Sequence, residues 1–237
     1  MDRSAKDPVK IQTMFSTIAH RYDLLNRLLS LGIDRSWRTF AVGQLPRSEH
    51  AHYLDVATGT CDVALEIIRQ CPPGTKVTGV DFSEGMLRLG QEKVSGAGLQ
   101  DRIELRPADV TCLPFDDNVF DASIIAFGIR NVQDTIKGIS EMGRVVRSGG
   151  KVVVLEFTSS QSRFFQPFFH FYISKVLPFI GEIISGKKGA YKYLPDSMLN
   201  FPAPDRFSRM MEEAGLKDVK YHKLTFGAAV VYVGTAQ

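Results

Sequence analysis

Short apolar runs that alternate with stretches of helical periodicity constrain this chain more than any other feature of its sequence. Residues 53–57, 77–81, 103–105, 122–126 and 152–157 are each short enough to be strands. After the first run, Val63, Ala64, Ile67, Ile68 and Cys71 fall on one helical face, and Pro72-Pro73-Gly74 ends it. After the second, Ser83 stands as an N-cap ahead of Met86, Leu87 and Val94. After the fourth come Ile136, Ile139, Met142 and Val146, and Gly149-Gly150 turns the chain into the fifth. That rhythm predicts a parallel sheet with helices on both faces, joined by right-handed crossovers.

The flanks depart from the rhythm. Residues 8–45 read as helical, with Ile11, Met14, Phe15, Ile18 and Tyr22 at helical spacing, a break at Gly32, and a second short helix carrying Trp37, Phe40 and Val42. Residues 163–200 are helical and aromatic-rich, and 204–214 form a further helix. Residues 219–225 and 228–235 read as two strands joined at Phe226-Gly227, a hairpin. The fold class predicted is α/β: a doubly wound, mostly parallel seven-stranded sheet with an antiparallel C-terminal strand pair. One domain is expected over 1–237, divided into an N-terminal helical cap (1–48), an α/β core (49–158), an aromatic helical insertion (159–203), and a closing helix and hairpin (204–237).

Several function classes drop out on composition. The 29 basic and 26 acidic residues leave a formal charge of +3, and the basic ones are dispersed, so no phosphate track and no nucleic-acid partner is expected. Cys61, Cys71 and Cys112 have no C-x-x-C spacing, which points away from a zinc site or a disulfide framework and towards a reducing cytoplasm. The apolar segment 164–184 contains Gln166, Pro167, His170, Lys175, Pro178 and Glu182, too many polar groups and prolines for a membrane span. No signal-peptide pattern follows the charged N-terminus.

Ligands of open α/β sheets bind beyond the carboxyl ends of the strands. The first strand ends in Asp55-Val56-Ala57-Thr58-Gly59-Thr60-Cys61-Asp62, the second in Asp81, and the third is followed by Asp109-Val110. Only Gly59 in the first loop is a glycine, so the close backbone approach that a pyrophosphate uses is lacking, and a dinucleotide is disfavoured. Asp81 stands at the spacing where a carboxylate receives ribose hydroxyls. Asp109 can accept from an adenine amino group, with Val110 as an apolar wall. A ligand with a ribose, an adenine, no phosphate and a positive charge suits this set, and S-adenosylmethionine (SAM) has all four properties. Singly, Asp55 reads equally as a helix cap and Asp81 as a turn residue; their occurrence at matching strand ends favours the joint reading. Cys61 reads as packing.

Nearly the whole chain resembles the UbiE/MenG quinone C-methyltransferases. The resemblance rests on Phe15-Ser16-Thr17-Ile18-Ala19-His20-Arg21-Tyr22-Asp23 with Asn26, the loop 55–62, Leu113-Pro114-Phe115-Asp116-Asp117, Phe127-Gly128-Ile129-Arg130-Asn131-Val132, Leu155-Glu156-Phe157, Tyr191-Lys192-Tyr193-Leu194 and Leu224-Thr225-Phe226-Gly227. The Tyr-Asp…Asn and Phe-Gly-Ile-Arg-Asn-Val elements are its most specific parts. It implies SAM as cofactor, with Thr60, Asp81, Asp109 and Val110 in contact with it; Asp55, Gly59, Phe82 and Ala126 complete the expected cofactor set. Three departures stand out: Cys61 where a smaller residue is usual, Thr158-Ser159-Ser160 without a proline, and Ala126 where some members have serine.

The implied reaction is methyl transfer to a ring carbon of a demethylated polyprenyl naphthoquinol or benzoquinol, the menaquinone precursor being favoured. Arg130 and Asn131 are expected to hold the quinol oxygen or a water, Arg130 stabilising an oxyanion rather than acting as base, and Tyr22 to orient the same group. The plainer alternative is that Arg130 pairs with a carboxylate and Asn131 caps the next helix. His20 and His170 receive no role. The insertion reads as a lid, as an apolar channel for the tail, or as both, with transient contact to the inner membrane face and a homodimer both allowed. Rival readings are another small apolar acceptor and a non-catalytic SAM-binding protein; the Asn/Asp-Pro-Pro-aromatic turn of a base methyltransferase is lacking after the fourth strand, where Ala126-Phe127-Gly128-Ile129 stands.

Overall fold

A computed structural model describes residues 27, 30, 32–158, 197–198 and 200–237. The strands are β1 (His52–Val56), β2 (Lys76–Asp81), β3 (Ile103–Pro107), β4 (Phe120–Ala126), β5 (Val146–Phe157), β6 (Lys217–Leu224) and β7 (Ala229–Thr235). The helices are α1 (Asp34–Val42), α2 (Asp62–Gln70), α3 (Glu84–Gly96), α4 (Thr135–Arg144) and α5 (Pro204–Glu213). The seven strands form one sheet in the order β3-β2-β1-β4-β5-β7-β6.

β1 pairs in parallel with β2 on one side and β4 on the other. The chain therefore winds outwards from β1 through β2 to β3, then returns and winds the other way through β4 and β5. The carboxyl ends of β1 and β4 diverge at that reversal and open a crevice between their loops. β7 runs antiparallel to both β5 and β6, so β6 regains the sense of the first five strands and β7 alone is reversed.

Period-two burial sorts the strand residues into two cores. Tyr53, Ile124, Val153 and Leu155 face the layer that holds Trp37 and Ala41 of α1, Ala64 and Ile67 of α2 and Val94 of α3. Leu54, Ile125, Val152 and Val154 face Ile139 and Met142 of α4 and Phe207 and Met211 of α5. Because both faces are covered, the central strands are mostly apolar, and the polar residues they do bury, Asp55, Ser123 and Glu156, are few.

Local chemistry sets the helix starts. The Ser83 hydroxyl accepts from the Met86 N–H at 3.4 Å, as its N-cap position predicts. Asp134 performs the same service for α4 through the Lys137 N–H at 3.0 Å. Pro204 occupies the first turn of α5, where its missing N–H is harmless. Gly32, at φ +76°, breaks the chain ahead of α1 where the sequence predicts.

Two boundaries differ from the sequence reading. β5 begins at Val146, not after the glycines: Val146 pairs with Phe120, and the register slips between Phe120 and Ala122. Gly149 at φ +83° and Gly150, where a Cβ would lie 2.5 Å from the Asp121 carbonyl oxygen, form that irregularity inside the strand. The β6–β7 connection is a 3₁₀ turn, Thr225–Gly227, with all three residues at positive φ, rather than a two-residue hairpin. The predicted helices over 8–26 and 163–196 lie outside the described residues.

Candidate active site

The loop from β1 to α2 is folded by a series of left-handed residues, Ala57 (φ 52°), Gly59 (φ 56°) and Cys61 (φ 69°). The Thr58 N–H donates to the Val80 carbonyl at 2.9 Å, which ties the loop to β2. Asp55, at the end of β1, is 1% exposed. Its Oδ2 accepts the Thr58 hydroxyl at 2.6 Å, and its Oδ1 is buried with no well-formed hydrogen bond among the described residues. Asp81, at the end of β2 and also buried, accepts the Gly59 N–H at 2.9 Å on Oδ2 and the Ser83 N–H at 2.8 Å on Oδ1. Neither carboxylate makes an ion pair among the described residues.

Desolvation disfavours the charged form of both groups. Burial pushes the Asp55 carboxyl up to about 7, with the Thr58 hydroxyl opposing and Asp81 adding a smaller rise. Burial likewise pushes Asp81 up to about 6, against the backbone N–H groups that favour its anion. Neither acid has a cationic side chain beside it among the described residues, so burial of the two carboxyls goes uncompensated there.

Close approach to these loops is built in. A Cβ on Gly128 would stand 2.7 Å from the Ala57 Cβ, which brings the β4 loop against the β1 loop. A Cβ on Gly90 of α3 would stand 2.5 Å from the Cys61 Sγ, so the Cys61 side chain fits because α3 has no side chain there. The Cys61 thiol is fully buried and pushed by burial up to about 12, which makes it a packing group, as the sequence predicts.

The remaining expected cofactor residues sit on the same edge of the sheet. The buried Thr60 hydroxyl accepts from Lys93 Nζ at 3.0 Å; Lys93 also reaches Asp62 Oδ1 at 2.7 Å, and Arg38 of α1 reaches Asp62 Oδ2 at 3.1 Å. Phe82 is half-buried beside Asp81, and Ala126 is half-buried at the end of β4. Asp109, exposed after β3, accepts the Thr111 N–H and hydroxyl on Oδ1, each at 2.8 Å, and its Oδ2 has no partner among the described residues. Val110 is packed against the second core.

On the other wall, Arg130 and Asn131 lie in the 3₁₀ turn Ile129–Asn131 after β4. The Arg130 guanidinium is buried: Nη1 donates to Glu156 Oε1 and to the Phe127 carbonyl, both at 2.6 Å. Its backbone N–H donates to Glu156 Oε2 at 3.2 Å, and the guanidinium lies 5.5 Å from the centre of the Phe157 ring. The carboxylate pairing weighed from the sequence is therefore present. The Asn131 cap is not, since Asp134 caps α4. Trp37 closes this wall, its Nε1 donating to Thr225 Oγ1 at 2.8 Å and its ring tilted against Phe127 and edge-on to Phe157. Tyr22, His20, His170 and the aromatic segment 164–184 lie outside the described residues.

Glu156, Lys93 and Trp37 carry geometry to which the sequence reading gave no role. For Glu156 the signal was a single charge in the run Val152-Val153-Val154-Leu155-Glu156-Phe157. Lys93 gave none, being one lysine on a helix.

The model of the ubiE/COQ5 methyltransferase family matches residues 3–236. The chain belongs to that family. It is 50% identical to the ubiquinone/menaquinone biosynthesis C-methyltransferase UbiE of Geobacter sulfurreducens over 99% of this chain and 91% of the relative. It is 46% identical to the demethylmenaquinone methyltransferase of Thermus thermophilus over 93% of this chain and 99% of the relative. Its fold resembles that of a SAM-dependent methyltransferase of Thermotoga maritima with a TM-score of 0.66 at 18% identity, over 95% of this chain and 99% of that one. The protein is a SAM-dependent methyltransferase on the class I α/β fold that the strand rhythm predicts.

The residues present fit that cofactor. Asp55 Oδ1 is a buried acceptor with no well-formed hydrogen bond among the described residues, neither Asp55 nor Asp81 has an ion-pair partner among them, and the β1 loop has no run of glycines to receive a diphosphate. Among the described residues no cluster of His, Cys, Asp and Glu could hold a metal, and no helix is long and apolar enough to cross a membrane.

Proposed function

We propose that this methyltransferase C-methylates the ring of a demethylated polyprenyl quinol, converting demethylmenaquinol to menaquinol and accepting the benzoquinol precursor of ubiquinone as a second substrate. The observation that carries the reading is the facing pair of walls at the β1–β4 reversal: buried acids on one side, and on the other a buried arginine turn lined with Trp37, Phe127 and Phe157. The activities for which the relatives in Geobacter and Thermus are named support the same acceptor class.

Bound SAM supplies an electrophilic methyl group. Asp81 would receive the ribose hydroxyls, Asp109 the adenine amino group against Val110, and Asp55 the positive end, with Gly59, Thr60, Phe82 and Ala126 completing the pocket. A ring carbon would become a competent nucleophile once the quinol hydroxyl passes its proton to a neighbouring water. The carbon would gain the methyl group as the donor's sulfur–methyl bond breaks and a neutral thioether leaves, and the proton on that ring carbon would then go to solvent as the ring regains aromaticity. Arg130 holds that oxygen and stabilises its negative charge, since a guanidinium does not itself take the proton at neutral pH. Asn131 and Tyr22 would fix the orientation of the oxygen or of a water beside it, which is how residues of this kind lower the barrier to a displacement. The aromatic wall excludes water and stacks on the acceptor ring. The tail of such a substrate resides in a bilayer, so the enzyme meets it by transient contact with the membrane surface.

The test is turnover with each demethylated quinol in reduced form. Methylation of the naphthoquinol, with slower methylation of the benzoquinol, is the expected result. An enzyme that binds SAM and methylates neither, while accepting an unrelated phenol, contradicts the assignment.

A further inference from the structure

A carboxylate in the middle of a sheet is costly unless its partners are complete. Glu156 is fully buried at the end of β5, and its two oxygens accept from the Arg130 N–H at 3.2 Å, from Arg130 Nη1 at 2.6 Å and from the Phe157 N–H at 2.8 Å. All three donors belong to the acceptor-side wall. Arg130 Nη1 also closes back on the Phe127 carbonyl, where the backbone is left-handed at φ 57°, so one ion pair fixes both ends of the turn that follows β4. Nη1 is thereby committed, whereas Nε is buried with no hydrogen-bond partner among the described residues. An orphaned buried donor is a place for a ligand's oxygen.

We propose that Glu156 is a positioning residue for methyl transfer: by holding Arg130 Nη1 and the Arg130 backbone N–H together, it locks the guanidinium so that Nε faces the acceptor's ring oxygen. The pair also brings the local charge to neutral, so an uncharged quinol enters without displacing a bare cation. This rests on the reading of Arg130 given above. Glu156 touches neither the donor nor the acceptor and acts through the arginine.

The experiment compares Arg130→Gln, Glu156→Gln, Glu156→Asp and the double variant Arg130→Gln/Glu156→Gln, each titrated with SAM so that kcat is expressed per binding-competent site. The double variant leaves no buried charge and serves where a single one fails to fold. Glu156→Gln is expected to lose on the order of 100-fold in kcat, the scale of a small misplacement of a reacting group, with SAM affinity unchanged. Glu156→Asp, which keeps the charge with a shorter reach, recovers part of that loss. The double variant has the kcat of Arg130→Gln alone, because both changes remove one device. Should Glu156→Gln or Glu156→Asp keep wild-type kcat per site while Arg130→Gln is impaired, or the double variant fall far below Arg130→Gln, the role of Glu156 is overturned and that of Arg130 stands. If Arg130→Gln itself turns over normally, the reading of Arg130 fails, and this inference with it.

Discussion

On the proposed function, Asp55 and Asp81 would carry the electrostatics of the donor pocket, and their protons would make it sensitive to pH. Both carboxyls titrate above their unfolded value of 3.8, Asp55 at about 7 and Asp81 at about 6. The folded protein thus holds protons that the unfolded chain has released. The stability this contributes is complete below pH 3.8 and is lost as pH rises through 6 and then 7. Binding of a cationic ligand has the opposite sign, since it favours the ionised pair. SAM affinity is expected to increase as pH rises towards 7, with on the order of a tenfold gain per unit for each group still protonated, and binding at acidic pH should release protons that calorimetry in buffers of different ionisation enthalpy detects. Asp55→Asn weakens binding and flattens the upper part of the dependence. A dissociation constant indifferent to pH over this range would show that these acids do not face the sulfonium.

At the scale of elements, the crevice is shaped by where helices lack side chains. α3 passes the cofactor loop at Gly90 because Cys61 occupies the space a Cβ would need. Gly90→Ala is expected to destabilise the protein by about 1–3 kcal/mol through overpacking, read as a lower midpoint in urea. Cys61→Ala on the same background removes the Sγ and restores most of that loss. Equal, additive losses would mean that the two residues do not compete for one space. Gly128→Ala tests the opposite wall: a Cβ 2.7 Å from that of Ala57 separates the β4 and β1 loops, so SAM affinity falls while the fold survives. Strands and caps were legible in the sequence, because buried strands and N-caps have local signatures: the run at 152–157, Ser83 before Met86, Pro204 opening α5. The start of β5 was not, since a bulge that spans Gly149-Gly150 has the same composition as a turn. Nor was the Thr225–Gly227 turn, whose left-handed Thr225 and Phe226 carry no such preference.

Taken as a whole, the molecule buries Asp55 and Asp81 at the carboxyl edge of its parallel strands, and their placement there was legible because topology alone dictates that edge. What sequence could not supply were pairings between distant positions: Glu156 with Arg130, Lys93 with Thr60 and Asp62, Trp37 with Thr225. Each joins residues from separate elements and has no spacing rule. If the cofactor binds loops from both arms of the sheet, as proposed, it stabilises the molecule globally: SAM at 100 times its dissociation constant adds about 2.7 kcal/mol, a rise of several degrees in melting temperature. A melting temperature indifferent to SAM would place the ligand elsewhere or nowhere.

The decisive measurement is the position of the methyl group. With SAM carrying an isotopically labelled methyl and reduced demethylmenaquinol as acceptor, mass spectrometry and NMR of the product are predicted to locate the label on a ring carbon. A label on a quinol oxygen, or an unlabelled quinol recovered from enzyme that demonstrably binds SAM, would contradict the account.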